Sequence, residues 1–193
     1  MSTAVAERLY SVKEYLELEK NSEVRHEFYY GKLITMPGES RIANQISKNI
    51  LKKWDDSLET QGYYLYNHDV KAEVKSTHIF RYPDLVVTPE SDDEDEYIVK
   101  KPVIMVEVAS EDSWKRDTLT KRKEYTALAS LQYYLVVSQE EMYVELYKRK
   151  DNAWILDQFE LPEDIVSLPL FDLKISLTEI YHRVKFGETT TTL

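Results

Sequence analysis

The alternation of apolar and polar positions divides the chain into recognisable elements. Ser11-Val-Lys-Glu14, followed by Tyr15, Leu16 and Leu18, has the form of a capping box that opens a short helix. The polar pair Asn21-Ser22 ends it. The run EFYYGKLITM at 27–36 is aromatic and β-branched around one glycine, which predicts two short strands turning at Gly31, closed by Pro37-Gly38. From 40 to 58, Ile42, Ile46, Ile50, Leu51, Trp54 and Leu58 form a helical stripe. Residues 62–75 return to strand-like composition. RYPDLVVT at 81–88 predicts a further strand with Pro83 near its start, and the acidic stretch 89–98 predicts a solvated loop.

The second half begins with VIMVEVA at 103–109, whose nearly continuous apolar character predicts a central strand covered on both faces. Leu119, Tyr125 and Leu128 predict a helix over 116–130. LQYYLVVS, MYVELYK and AWILDQFEL then predict three strands. Residues 170–184 predict a strand and a short helix. There is no internal repeat, and the order of elements predicts an α/β fold, a mixed β-sheet core flanked by helices.

Length and composition narrow the classes. A chain of 193 residues fits one compact domain spanning 1–193, with 1–10 and 187–193 as flexible ends. Thirty-five acids against 25 bases give a formal charge of −10, so no global basic field favours nucleic acid. More than half of that excess sits in Glu90, Asp92, Asp93, Glu94, Asp95 and Glu96, which makes the global figure a weak guide to local patches. The absence of cysteine excludes disulfides, thiolate catalysis and Cys-ligated metal sites. No window approaches the roughly 20 apolar residues of a membrane helix, and the expectation is a soluble cytoplasmic protein without an organic cofactor. His26, His68, His78 and His182 show no ligand spacing, which argues against zinc.

One residue does not fit its surroundings. Glu107 interrupts Val103–Ala109, where a carboxylate is costly to desolvate unless it is paired, protonated or bound to a cation. Asp84 likewise opens the apolar run Leu85-Val-Val87. If the acidic loop joins their strands as an antiparallel pair, the two carboxyls become cross-strand neighbours. Carboxylates that close suit a hard divalent cation such as Mg²⁺. Asp117, Lys121 and Tyr125 share one face of the following helix, so Lys121 can point back to the carboxyls. Two acids, a metal and a lysine make a phosphodiester-hydrolysing centre.

These residues carry a resemblance. PDLVV at 83–87, VEVAS at 106–110, D-x3-K-x3-Y at 117–125 and QYYLVVS at 132–138, in that order, resemble the bacterial putative restriction endonuclease family of the PD-(D/E)XK superfamily. The resemblance implies a restriction-endonuclease-like fold and a Mg²⁺-dependent DNA endonuclease, with Mn²⁺ as a substitute ion. Asp84 and Glu107 match the acidic metal ligands, the Val108 carbonyl completes the set, and Lys121 stands in for the lysine that Ala109 displaces. Glu27 matches an accessory upstream acid. Lys115, Arg116 and Lys123 are candidates for phosphate contacts, and cutting both strands would call for a homodimer. Asn44, Tyr30, Tyr134, Ser138 and Gln139 depart from the family pattern. The alternatives are a silent nuclease fold that binds nucleic acid or a protein, and, residue by residue, a buried pair for Glu107, an exposed Asp117–Lys121 pair and a surface hairpin pair for Glu27.

Overall fold

The computed structural model describes residues 8–76, 78–92 and 95–186. Helix α1 (Val12–Asn21) opens with the expected capping box, Ser11 receiving the Glu14 amide and Glu14 reaching back to Ser11. Strands β1 (His26–Tyr29) and β2 (Lys32–Thr35) follow as a hairpin. Both turn residues have positive φ, Tyr30 at 46° and Gly31 at 89°, the conformation that a two-residue hairpin of this hand requires. A Cβ on Gly31 would lie 3.2 Å from Leu9 Cβ. Gly31→Ala is therefore expected to cost about 1–2 kcal/mol, read as a lower urea midpoint at unchanged slope.

Helix α2 (Arg41–Glu59) starts at the Ser40 cap and buries Ile46, Ile50, Trp54 and Leu58. Then come β3 (Tyr63–Asn67), β4 (Lys71–Lys75), β5 (Ile79–Arg81), β6 (Leu85–Pro89), β7 (Ile98–Val99) and β8 (Ile104–Ala109). A helical segment follows: α3 (Glu111–Lys115), a π-helical stretch Arg116–Lys121 and α4 (Arg122–Tyr125). The chain continues through β9 (Tyr133–Ser138), β10 (Val144–Lys150), β11 (Ala153–Phe159), β12 (Ile165–Leu168), β13 (Leu173–Ser176) and α5 (Leu177–Ile180).

The main sheet has six strands in the order β11-β10-β9-β8-β6-β3, with β8 and β9 parallel and the other pairs antiparallel. A five-stranded sheet has the order β2-β1-β5-β4-β7, and β12 pairs with β13. Strand β8 is the buried centre. Its Ile104, Val106 and Val108 pack with α2, β12, β13 and α5, while Met105 and Ala109 pack with Tyr125, Tyr134 and residues of β4 and β5. Period two then places Glu107 on the second face, under the helical segment.

Several boundaries differ from the sequence expectation. The strand expected at 81–88 is two strands in two sheets: β5 ends at Arg81, and the chain crosses at Pro83-Asp84, where proline has no amide to give to a ladder. The stretch 62–75 divides in the same way at His68, whose φ is 54°. The helix expected at 116–130 runs from 111 to 125, because Ser110 caps it early. Its π-helical stretch leaves Leu119 49% exposed and turns Asp117, Thr118 and Lys121 inward. The acidic loop is interrupted by a 3₁₀ turn at Glu90–Asp92 and by buried β7, which pairs parallel with β4. Asp93 and Glu94 lie outside the described residues. Strand β12 was not expected. Tyr10 donates its amide to the Gly31 carbonyl at 2.8 Å, so the N-terminal end is anchored from there; residues 1–7 and 187–193 lie outside the described residues. No helix among the described residues is long and apolar enough to cross a membrane.

Candidate metal and hydrolytic centre

The antiparallel register of β6 and β8 pairs Leu85 with Val106, which sets Asp84 beside Glu107 and Val108. Asp84 accepts the Val108 amide on Oδ2 at 2.6 Å. Glu107 is 4% exposed; its Oε1 accepts the Tyr125 hydroxyl at 2.7 Å and its Oε2 lies 2.9 Å from Lys121 Nζ. Lys121, 3% exposed, also lies 3.4 Å from Glu27 Oε1 and 3.5 Å from Asp117 Oδ1. The hairpin thus delivers Glu27 to the interior, not to a surface pair. The Asp117–Lys121 pair is likewise buried, so the exposed alternative for it is overturned.

Residues to which the sequence assigned no catalytic or binding role complete the network. Arg81 donates to Glu27 at 2.7 Å and grips Glu124 with two nitrogens at 3.0 and 2.9 Å. Tyr134 donates to the Asp117 carbonyl at 3.0 Å, inside the π-helical stretch. The only sequence signal for Arg81 was a charge ending an apolar pair ahead of Pro83. The Val108 carbonyl accepts Gln139 Nε2 at 3.2 Å, and Gln139 in turn accepts the Ser40 hydroxyl. A carbonyl has a second lone pair, so this bond does not use up its capacity.

Charge in this interior is unbalanced. Glu27, Asp84, Glu107, Asp117 and Glu124 gather around two buried cations, Lys121 and Arg81. Burial pushes the Glu107 carboxyl up to about 8 in spite of Lys121, and the charges of Asp117 and Asp84 add to the rise. Burial likewise raises Asp84 to about 6, against the bond from Val108. Glu27 is also penalised by burial, but Lys121 and Arg81 hold it below its ordinary value. Lys121 is penalised by burial and still raised by Glu107, Glu27 and Asp117, so it stays charged. Glu107, held from ionising at neutral pH, and the raised carboxyl of Asp84 beside it are what a divalent cation would compensate. The donor set of oxygen ligands fits such an ion.

Removing the Tyr125 hydroxyl leaves one oxygen of a buried carboxyl bare. Tyr125→Phe is expected to cost about 1–3 kcal/mol, measured by urea unfolding. A cost below about 0.5 kcal/mol would show that water replaces the hydroxyl.

Lys115, Arg116 and Lys123 are exposed on the helical segment, and Arg116 lies 3.5 Å from Asp117. The histidines carry no local spacing, yet the fold brings His68 to Asp84: because β3 pairs with β6, the His68 amide donates to the Asp84 carbonyl at 3.1 Å. One side-chain ligand atom from each of Glu39, His68 and Asp84 lies within 4.8 Å of the others. A pairing between strands that are not consecutive is not readable from the sequence, and Glu39 had no signal at all.

Comparison with known proteins agrees with this architecture. A solved structure from Anabaena variabilis, described as a putative nuclease belonging to DUF820, superposes with a TM-score of 0.74 at 18% identity. The match covers 89% of this chain and 97% of that one, and at this identity it shows a shared fold. Two uncharacterized proteins of Synechocystis sp. strain PCC 6803 are also similar. One, slr1290, is 26% identical over 178 residues, covering 91% of this chain and 93% of its own length. The other, sll1609, is 25% identical over 162 residues, covering 82% and 92%. The family model Uma2, described as "Putative restriction endonuclease", matches residues 12–178, from α1 to the start of α5. This match spans the hairpin with Glu27, the Asp84 crossing, the Glu107 strand and the Lys121 helix, and the chain belongs to the Uma2 family of putative restriction endonucleases.

Proposed function

We propose that this chain is a divalent-metal-dependent endonuclease of the PD-(D/E)XK type that hydrolyses phosphodiester bonds in DNA. The observation that carries the reading is the convergence of Asp84, Glu107 and Lys121 from three separate elements on one buried, acid-rich point. Asp84, Glu107 and the Val108 carbonyl would hold Mg²⁺, or Mn²⁺ in its place. The ion would supply Lewis-acid polarisation of the scissile phosphate and a more acidic bound water. Lys121, held charged by three carboxyls, cannot serve as the base; it positions the attacking water and stabilises charge on the phosphate. Tyr125 fixes the rotamer of Glu107 through its hydroxyl. Lys115, Arg116 and Lys123 would contact phosphates beside the cut, and a homodimer would place a second centre on the other strand.

The test is conversion of supercoiled plasmid and circular single-stranded DNA, with Mg²⁺ or Mn²⁺, abolished by chelator and restored by added metal. One observation favours a second reading: both oxygens of Glu107 already have internal partners. A nuclease fold kept for binding would show retention of DNA or a protein without metal-dependent cleavage.

A further inference from the structure

We infer that Glu39, His68 and Asp84 form a second cation position, on the opposite side of Asp84 from Glu107, selective for a first-row divalent transition metal over Mg²⁺. It rests on the proposed metal-dependent reading only through the shared Asp84. Three different parts of the chain supply it. Glu39 precedes the cap of α2, His68 follows β3, and Asp84 precedes β6. Their ligand atoms already lie within 4.8 Å of one another, and His68 Nδ1 lies 3.5 Å from Glu39 Oε1.

Each carboxylate is held by a donor outside the set. Asn44 Nδ2 donates to Glu39 Oε2 at 3.0 Å, and the Val108 amide holds Asp84 Oδ2 at 2.6 Å, so in each case the other oxygen can face an ion. Orientation of this kind by a surrounding shell is characteristic of metal sites. His68 is fixed by its backbone, which takes a positive φ of 54° and donates to the Asp84 carbonyl at 3.1 Å. The His68 and Glu39 side chains are each 27% exposed, which leaves a route for an ion from solvent. Asp84 has two oxygens and stands between this set and Glu107.

The donor chemistry sets the selectivity. An imidazole nitrogen among two carboxylates suits first-row transition ions, whereas Mg²⁺ demands oxygen ligands and keeps most of its water. The centre built by Asp84, Glu107 and the Val108 carbonyl has oxygen donors alone. The two positions are therefore distinguishable by metal and by variant.

The experiment is a Mn²⁺ titration of the full chain without DNA, following loss of the free-ion EPR signal, with Mg²⁺ as competitor. Wild type is expected to show one tight Mn²⁺ class per chain. His68→Asn, which tolerates positive φ, is expected to weaken that class at least about tenfold and to change Mg²⁺ affinity less than about threefold. Glu39→Gln, at an exposed position, is expected to weaken Mn²⁺ in the same direction. Glu107→Gln is expected to retain the tight class. Absence of tight Mn²⁺ binding in folded wild type, or its survival in both His68→Asn and Glu39→Gln, would overturn the inference. Mn²⁺ held through His68 by a protein that cuts no DNA would leave this inference standing and remove the nuclease. Cleavage with Mn²⁺ binding indifferent to His68 would do the reverse.

Discussion

Lys121→Met is expected to lower stability by about 3–5 kcal/mol, because it leaves Glu107, Glu27 and Asp117 without the cation that each now faces within 3.5 Å. Urea unfolding at pH 7 measures this. Methionine fills most of the volume, so a packing defect would account for little of the loss. The double variant Lys121→Met with Asp117→Asn removes part of the stranded charge, because Asp117 Oδ1 is buried and faces Lys121 at 3.5 Å, and is expected to recover at least about 1 kcal/mol. A loss below about 1 kcal/mol in the single variant would mean that the ammonium sits in water. Cleavage by Lys121→Met is expected to vanish even at temperatures where the variant is fully folded.

Asp84→Asn separates chemistry from folding. Asparagine keeps the shape and an oxygen that can accept the Val108 amide, so the thermal midpoint is expected to move by only a few degrees. The charge that would hold an ion is gone. Metal-dependent cleavage is expected to fall by roughly 10³-fold, equivalent to about 4 kcal/mol of transition-state stabilisation. The measurement is the initial rate of plasmid nicking at saturating metal. A rate within about fivefold of wild type would exclude Asp84 as a metal ligand.

The central constellation was legible where local chemistry forced it. Glu107 stands out because a strand covered on both faces has no place for a charge, and Asp84 because it is an acid opening an apolar run, a cross-strand neighbour of Glu107 if the strands around the acidic loop pair. The hairpin at Gly31 and the helix with Trp54 followed from residue type and period. Lys121 was legible through its spacing from Asp117 and Tyr125, although the π-helical stretch between 116 and 121 was not, since nothing in the composition marks the extra residue in the turn. For that reason Leu119, which belongs to the apolar periodicity with Tyr125 and Leu128, faces solvent.

What could not be read was contact between distant segments. Arg81 reaches Glu27 because β5 pairs with β1, and His68 reaches Asp84 because β3 pairs with β6. Each depends on which strands become neighbours, and a local pattern of polar and apolar residues fixes the face of a strand, not its partner. The second donor set around Asp84 was hidden in the same way.

The most direct test of the central claim compares wild type with Asp84→Ala, Glu107→Ala and Lys121→Ala on supercoiled plasmid and single-stranded DNA, in Mg²⁺ and in Mn²⁺. Cleavage by wild type that needs metal and is lost in all three folded variants is the predicted result. An inactive wild type on every substrate, together with calorimetry showing no binding of either ion, would contradict it and leave a nuclease fold used for binding.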